Sequence, residues 1–125
     1  MELRRPMIAI VDDDDTVRDS LRALLETQQY TVIDFADGDG FLFRDRGILP
    51  NCILLDVHMP GKGGFDVLKA LREAGDMTPV ILITGRSDRL LEAKAKVEVS
   101  VTILDKPLGP ARLFAAIDKA LAGLL

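Results

Sequence analysis

Cysteine is nearly absent: Cys52 is the only one in 125 residues. No intrachain disulfide can form, so a reducing compartment is expected. Its apolar neighbours make Cys52 a core residue rather than a reactive thiol. No apolar run is long enough to span a membrane. The opening Met1-Glu2-Leu3-Arg4-Arg5-Pro6 lacks the apolar stretch of a secretion signal, so the cytoplasm is the expected location. Excess positive charge is also missing. A formal net charge of −4 gives no general attraction for nucleic acid, and any DNA contact would need another domain. Repeats, low-complexity tracts and linkers do not occur. What remains is 48% hydrophobic, which argues against disorder. The chain reads as one domain, 1–125, able to bury its own core.

Five strand-like runs alternate with helical patterns. The runs cover roughly 7–11, 31–35, 52–55, 79–83 and 101–104. Val17, Leu21, Leu24 and Leu25 repeat at helical spacing after the first run, with Asp14 or Asp15 as a cap. Asp37 and Asp39 can cap a short helix through Phe41-Leu42-Phe43, ended by Gly47 and Pro50. Phe65, Val67, Leu68 and Leu71 mark a third helix stopping near Gly75. A weaker fourth covers 86–98, and the last runs from Pro110 through Leu121. This alternation predicts a doubly wound α/β fold with a parallel sheet in the flavodoxin-like order 2-1-3-4-5.

That order makes the first and third strands neighbours, so Asp12 and Asp13 meet Asp56 at one mouth. Carboxylates gathered at buried strand ends repel one another, and a divalent cation is the usual remedy. Thr84 and Lys106 end the fourth and fifth strands at the same edge. Carboxylates, a hydroxyl and an ammonium together suit phosphoryl transfer to an aspartate. Mg²⁺ binds through one or two carboxylates, waters and phosphate oxygens, while fixed donors take the remaining oxygens of the transferring group.

The set Val11-Asp12-Asp13, Leu55-Asp56-Val57-His58-Met59-Pro60-Gly61, Thr84-Gly85 and Lys106-Pro107 resembles the receiver domain of two-component response regulators over essentially the whole chain. Val17-Arg18-Asp19-Ser20-Leu21 and Ile83-Thr84-Gly85 further resemble the FixJ-like branch. The resemblance implies that Asp56 accepts phosphate from a sensor histidine kinase or phosphotransfer protein. It implies Mg²⁺ on Asp12, Asp13, Asp56 and the main-chain carbonyl of His58. Thr84 and Lys106 would engage the phosphoryl group, and the bond before Pro107 would be cis. Helix 4, strand 5 and helix 5 would form an output surface read by an unidentified output domain or effector, with a phosphorylation-dependent dimer as one form of output. Such a domain is regulatory rather than an enzyme in its own right, with self-phosphorylation and autodephosphorylation as side activities. It implies no direct nucleic acid or membrane binding.

Two departures concern the response. Ile103 stands three places before the lysine, where the family commonly has an aromatic ring, and Glu98-Val99-Ser100 replaces the usual Ala-Gly signature. Loss of that glycine removes an easy helix stop, predicting a short or irregular fourth helix. These changes keep open a receiver-like module that interacts without phosphorylation. Asp13-Asp14-Asp15-Thr16-Val17 also resembles the first motif of haloacid-dehalogenase-type phosphatases, a reading that leaves Asp56 no role. His58, the only histidine, reads as an exposed loop residue or as a modulator of the acyl phosphate lifetime. Pro60-Gly61-Lys62-Gly63-Gly64 lacks the GK[ST] ending of a phosphate loop and reads as a turn leading into a helix.

Overall fold

The computed structural model describes residues 5–86 and 89–125. The elements are β1 (Met7–Val11), α1 (Asp15–Glu26), β2 (Thr31–Phe35), α2 (Gly38–Leu42) and β3 (Cys52–Asp56), followed by α3 (Gly64–Glu73), β4 (Val80–Thr84), α4 (Arg89–Lys96), β5 (Val101–Asp105) and α5 (Pro110–Leu121). The strands pair in parallel in the order β2-β1-β3-β4-β5.

Alternation along the apolar strands divides the core in two. Ile8, Ile10, Leu54, Ile81 and Ile83 face α1 and α5, meeting Leu21, Leu25, Leu113 and Ile117. Ala9, Val11, Ile53, Leu55, Val80 and Leu82 face the other way, onto Phe41, Val67, Leu68 and Leu71. Each fully buried Leu or Ile contributes about 1.5–3 kcal/mol, so the central strands are strongly held in register. Cys52 lies in the first of these clusters with no exposed surface, and burial pushes its thiol up to about 12.

The helix caps follow side-chain chemistry. Asp14 caps α1, accepting from the amides of Thr16 at 2.9 Å and Val17 at 3.2 Å. Asp15 instead occupies the first turn and pairs with Arg18. Asp37 caps α2, and the helix stops at Leu42, with Phe43 as its exposed C-terminal residue. Gly75, at φ +81, follows α3 where the stop is expected.

Several boundaries differ from the sequence reading. β4 begins at Val80 rather than at Pro79, which has no amide proton for the ladder, and it includes Thr84. β3 and β5 likewise extend one residue further, to Asp56 and Asp105. Among the described residues the fourth helix covers Arg89–Lys96, leaving out Arg86, Val97 and Glu98 of the expected span 86–98. After β4, the Thr84 hydroxyl donates to the Arg86 carbonyl at 2.9 Å and accepts the Arg86 amide at 3.1 Å, holding a turn. Ser87 and Asp88, within the expected helix, lie outside the described residues. At its end the chain turns through Ser100 at φ +56, a conformation that usually calls for glycine. Arg72 of α3 secures this turn, donating to the Val99 carbonyl at 2.9 and 3.1 Å and to that of Ser100 at 3.3 Å.

Candidate phosphoacceptor site

The sheet order sets β1 beside β3 and β3 beside β4, so their C-terminal ends open onto a common mouth. Asp12, Asp13 and Asp56 converge there, each offering a carboxylate oxygen within 4.8 Å of the others. Asp12 and Asp56 are only 3% and 5% exposed, whereas Asp13 faces solvent. Asp12 Oδ1 accepts the Asp14 amide at 2.9 Å, and Asp56 Oδ1 accepts the His58 amide at 3.3 Å.

Lys106 brings its Nζ to 3.9 Å from Asp56 Oδ1. Its amide donates to the Thr84 carbonyl at 2.8 Å, tying the ends of β4 and β5 together. The Lys106–Pro107 bond is cis. Thr84 is fully buried, and His58 Nε2 lies 3.4 Å from its hydroxyl. His58 is exposed as expected, yet its ring reaches across the mouth to the threonine. Asp12, Asp13, Asp56 and Lys106 are thus brought together, and Thr84 closes the neighbouring strand end with its hydroxyl held by Arg86.

The electrostatics are adverse for the bare protein. Burial raises the Asp56 pKa, and the charge of Asp12 raises it further; Lys106 and the His58 amide offset this in part. Asp12 is also pushed up by burial, against the Asp14 amide and Lys106. Three carboxylates facing one ammonium leave an excess of negative charge, and hard oxygen donors at this spacing fit a hard divalent cation.

Gly64 was legible only as part of a glycine-rich turn. It begins α3 against the backbone of Asp56 itself: a Cβ there would lie 2.5 Å from the Asp56 carbonyl oxygen and 2.9 Å from Val57 Cα. No sequence signal separates Gly64 from its neighbour Gly63, because the contact depends on how α3 packs. Gly64→Ala is expected to destabilise the fold by about 1–3 kcal/mol through overpacking, read by urea unfolding. An unchanged midpoint would show that α3 can retreat freely. Beside the mouth, Val17, Leu21, Ile83, Pro107 and Leu108 line an apolar groove that reaches Lys106.

The response regulator receiver domain profile matches residues 8–118. The chain belongs to that family. This receiver is 35% identical over 114 residues to the transcriptional regulatory protein FixJ of Bradyrhizobium diazoefficiens, covering 91% of this chain and 56% of FixJ. It is 34% identical over 121 residues to the response regulator protein TodT of Pseudomonas putida, covering 97% and 53% respectively. The receiver therefore spans about half the length of these curated relatives. Among solved structures, Vibrio cholerae chemotaxis protein CheY4 superposes with a TM-score of 0.87 at 26% identity, covering 94% of this chain and all of that one.

The domain is accordingly a regulatory receiver of two-component signal transduction with the CheY-like fold, in a family where phosphorylation on aspartate is typical. The haloacid-dehalogenase likeness of residues 13–17 is local: Asp14 caps α1 and Asp15 pairs with Arg18. Among the described residues, no helix is long and apolar enough to cross a membrane.

Proposed function

We propose that Asp56 is the phosphoacceptor and that Asp12, Asp13, Asp56 and the main-chain carbonyl of His58 hold Mg²⁺. The observation that carries this reading is the convergence of a buried Asp56 with two further carboxylates and Lys106 at one strand-end mouth. When bound, the cation offsets the repulsion among the carboxylates and the negative charge of the incoming phosphoryl group.

Asp56, ionised, attacks the phosphorus of a kinase phosphohistidine in line. The new bond joins an Asp56 carboxylate oxygen to phosphorus as the N–P bond breaks. Its electron pair stays on the imidazole nitrogen, which leaves as neutral histidine when the other ring nitrogen carries the proton. Lys106 pairs with one phosphoryl oxygen. Thr84 donates to another, which requires its hydroxyl to release the Arg86 carbonyl. That exchange pulls the segment leading to α4, and Lys106 carries the change into β5. The output surface is α4, β5 and α5.

The donor is a sensor histidine kinase or phosphotransfer protein, docked along the apolar groove of Val17, Leu21, Pro107 and Leu108, because Lys106 belongs to both groove and site. Any DNA contact belongs to an output domain, and dimerisation on phosphorylation is one form the output takes. Cytoplasmic location, self-phosphorylation from small donors and autodephosphorylation complete the reading.

Labelling with acetyl phosphate and Mg²⁺, followed by mapping of the modified residue, tests it. Label is expected on Asp56. Modification of Asp12 or Asp13 instead would overturn the assignment, and absence of any label would favour an interaction module that works without phosphate.

A further inference from the structure

Arg18 has no place in the phosphoryl chemistry above, yet its side chain is only 13% exposed and grips the loop that carries two of the carboxylates. Its NH1 donates to the main-chain carbonyl of Asp12 at 2.6 Å. Its NH2 pairs with Asp15, and its Nε lies 3.9 Å from Asp34 Oδ1 on β2. Asp34 is itself fixed: Arg22 donates to its Oδ2 at 2.8 and 3.2 Å and to the Val32 carbonyl at 3.0 Å. From the other side, the Asp12 amide donates to the Phe35 carbonyl at 3.2 Å.

The Asp12 backbone is therefore held at both ends. β2 takes its amide, and Arg18 of α1, paired with Asp15 and within ion-pair reach of Asp34 on β2, takes its carbonyl. That carbonyl begins the Asp12–Asp13 peptide plane, whose orientation sets where both carboxylates point. A planar guanidinium can hold a carbonyl and carboxylates in one rigid fork, which lysine cannot. Groups behind metal ligands commonly tune affinity by 10–100-fold when altered.

We propose that Arg18, anchored through Asp34, is a positioning residue for the divalent cation site, setting the aim of Asp12 and Asp13. The inference rests on the reading of that acidic cluster as a Mg²⁺ site. Charge and position predict opposite results. As a cation beside the cluster, Arg18 opposes Mg²⁺ by Coulomb repulsion, so losing it would tighten binding if charge alone mattered. If Arg18 aims the carboxylates, losing it weakens binding.

The test is Mg²⁺ titration of the purified chain, followed by backbone amide shifts, for wild type, Arg18→Met, Arg18→Lys and Asp34→Asn, with thermal unfolding in EDTA alongside. Arg18→Met is expected to raise the Mg²⁺ Kd tenfold or more, Arg18→Lys to recover part of the loss, and Asp34→Asn to fall between wild type and Arg18→Met. An unchanged or lower Kd in Arg18→Met overturns the proposal, as does a lowered Tm with an unchanged Kd. Should Arg18→Met fail to fold, Arg18→Lys and Asp34→Asn decide, and wild-type Kd values in both overturn it. A wild-type chain showing no saturable Mg²⁺ response defeats the metal reading itself, and the Arg18 role with it.

Discussion

Asp56→Asn is expected to end phosphoryl acceptance and, in the same molecule, to strengthen the metal-free fold. The amide is a poor nucleophile, so label from acetyl phosphate and Mg²⁺ should drop to background, a loss of at least about 10²–10³-fold. The stability gain follows from burial. Asp56 is 5% exposed, and burial together with the charge of Asp12 raises its pKa above the ordinary 3.8. A carboxyl that binds its proton more tightly when folded destabilises the native state wherever it is ionised. Near pH 7 in EDTA, the variant should gain on the order of 1 kcal/mol, a rise of several degrees in Tm. The advantage should shrink as pH falls through the raised pKa and vanish below the unfolded value, where both side chains are neutral. Thermal unfolding from pH 7 down to about 3 reads the trend. A variant no more stable than wild type at neutral pH would mean that Lys106 already neutralises the site.

Removing the cation, or one of its ligands, is the second large effect. In EDTA the wild-type chain should acquire essentially no label, because Asp12 and Asp13 then oppose every anionic phosphoryl donor approaching Asp56. Asp13→Asn should shift the Mg²⁺ concentration for half-maximal labelling upward by roughly tenfold or more, since charge count sets the affinity of such a site. Asp13 is exposed, so its replacement should leave thermal unfolding nearly unchanged and the effect should appear in metal dependence. Equal labelling with and without EDTA would remove the metal from the reaction.

Much of this site is legible in the sequence. Asp12, Asp56 and Thr84 each close an apolar run and Lys106 follows the end of β5, and parallel strands deliver such ends to one edge whatever the details of packing. The strand order followed from the βα alternation for the same reason. Arg18 was harder. Its motif carried a family likeness, but its bond to the Asp12 carbonyl depends on α1 lying against β2, which no periodicity reports. The charged Glu98 suits a helix surface, so the span 86–98 reads too long at its end, while the Arg72 bonds to Val99 and Ser100 that hold the following turn act from another element. Choosing between Asp14 and Asp15 as the cap required backbone angles. Only Asp14, at φ −91 and ψ 114, stands outside the helix with its oxygen free to receive amides.

The Arg72 clamp makes α3 a strut. At one end Gly64 rests on the Asp56 carbonyl with no room for a methyl group. About 12 Å away, at the rise of an α-helix, Arg72 grips the last two carbonyls before β5 and also donates to the Asp76 carbonyl at 2.7 Å. Fixed by contacts at both ends, α3 links the Asp56 backbone to the turn before β5. A tilt begun at Gly64 would reach Val99 and Ser100, just before β5, without passing through Ile103.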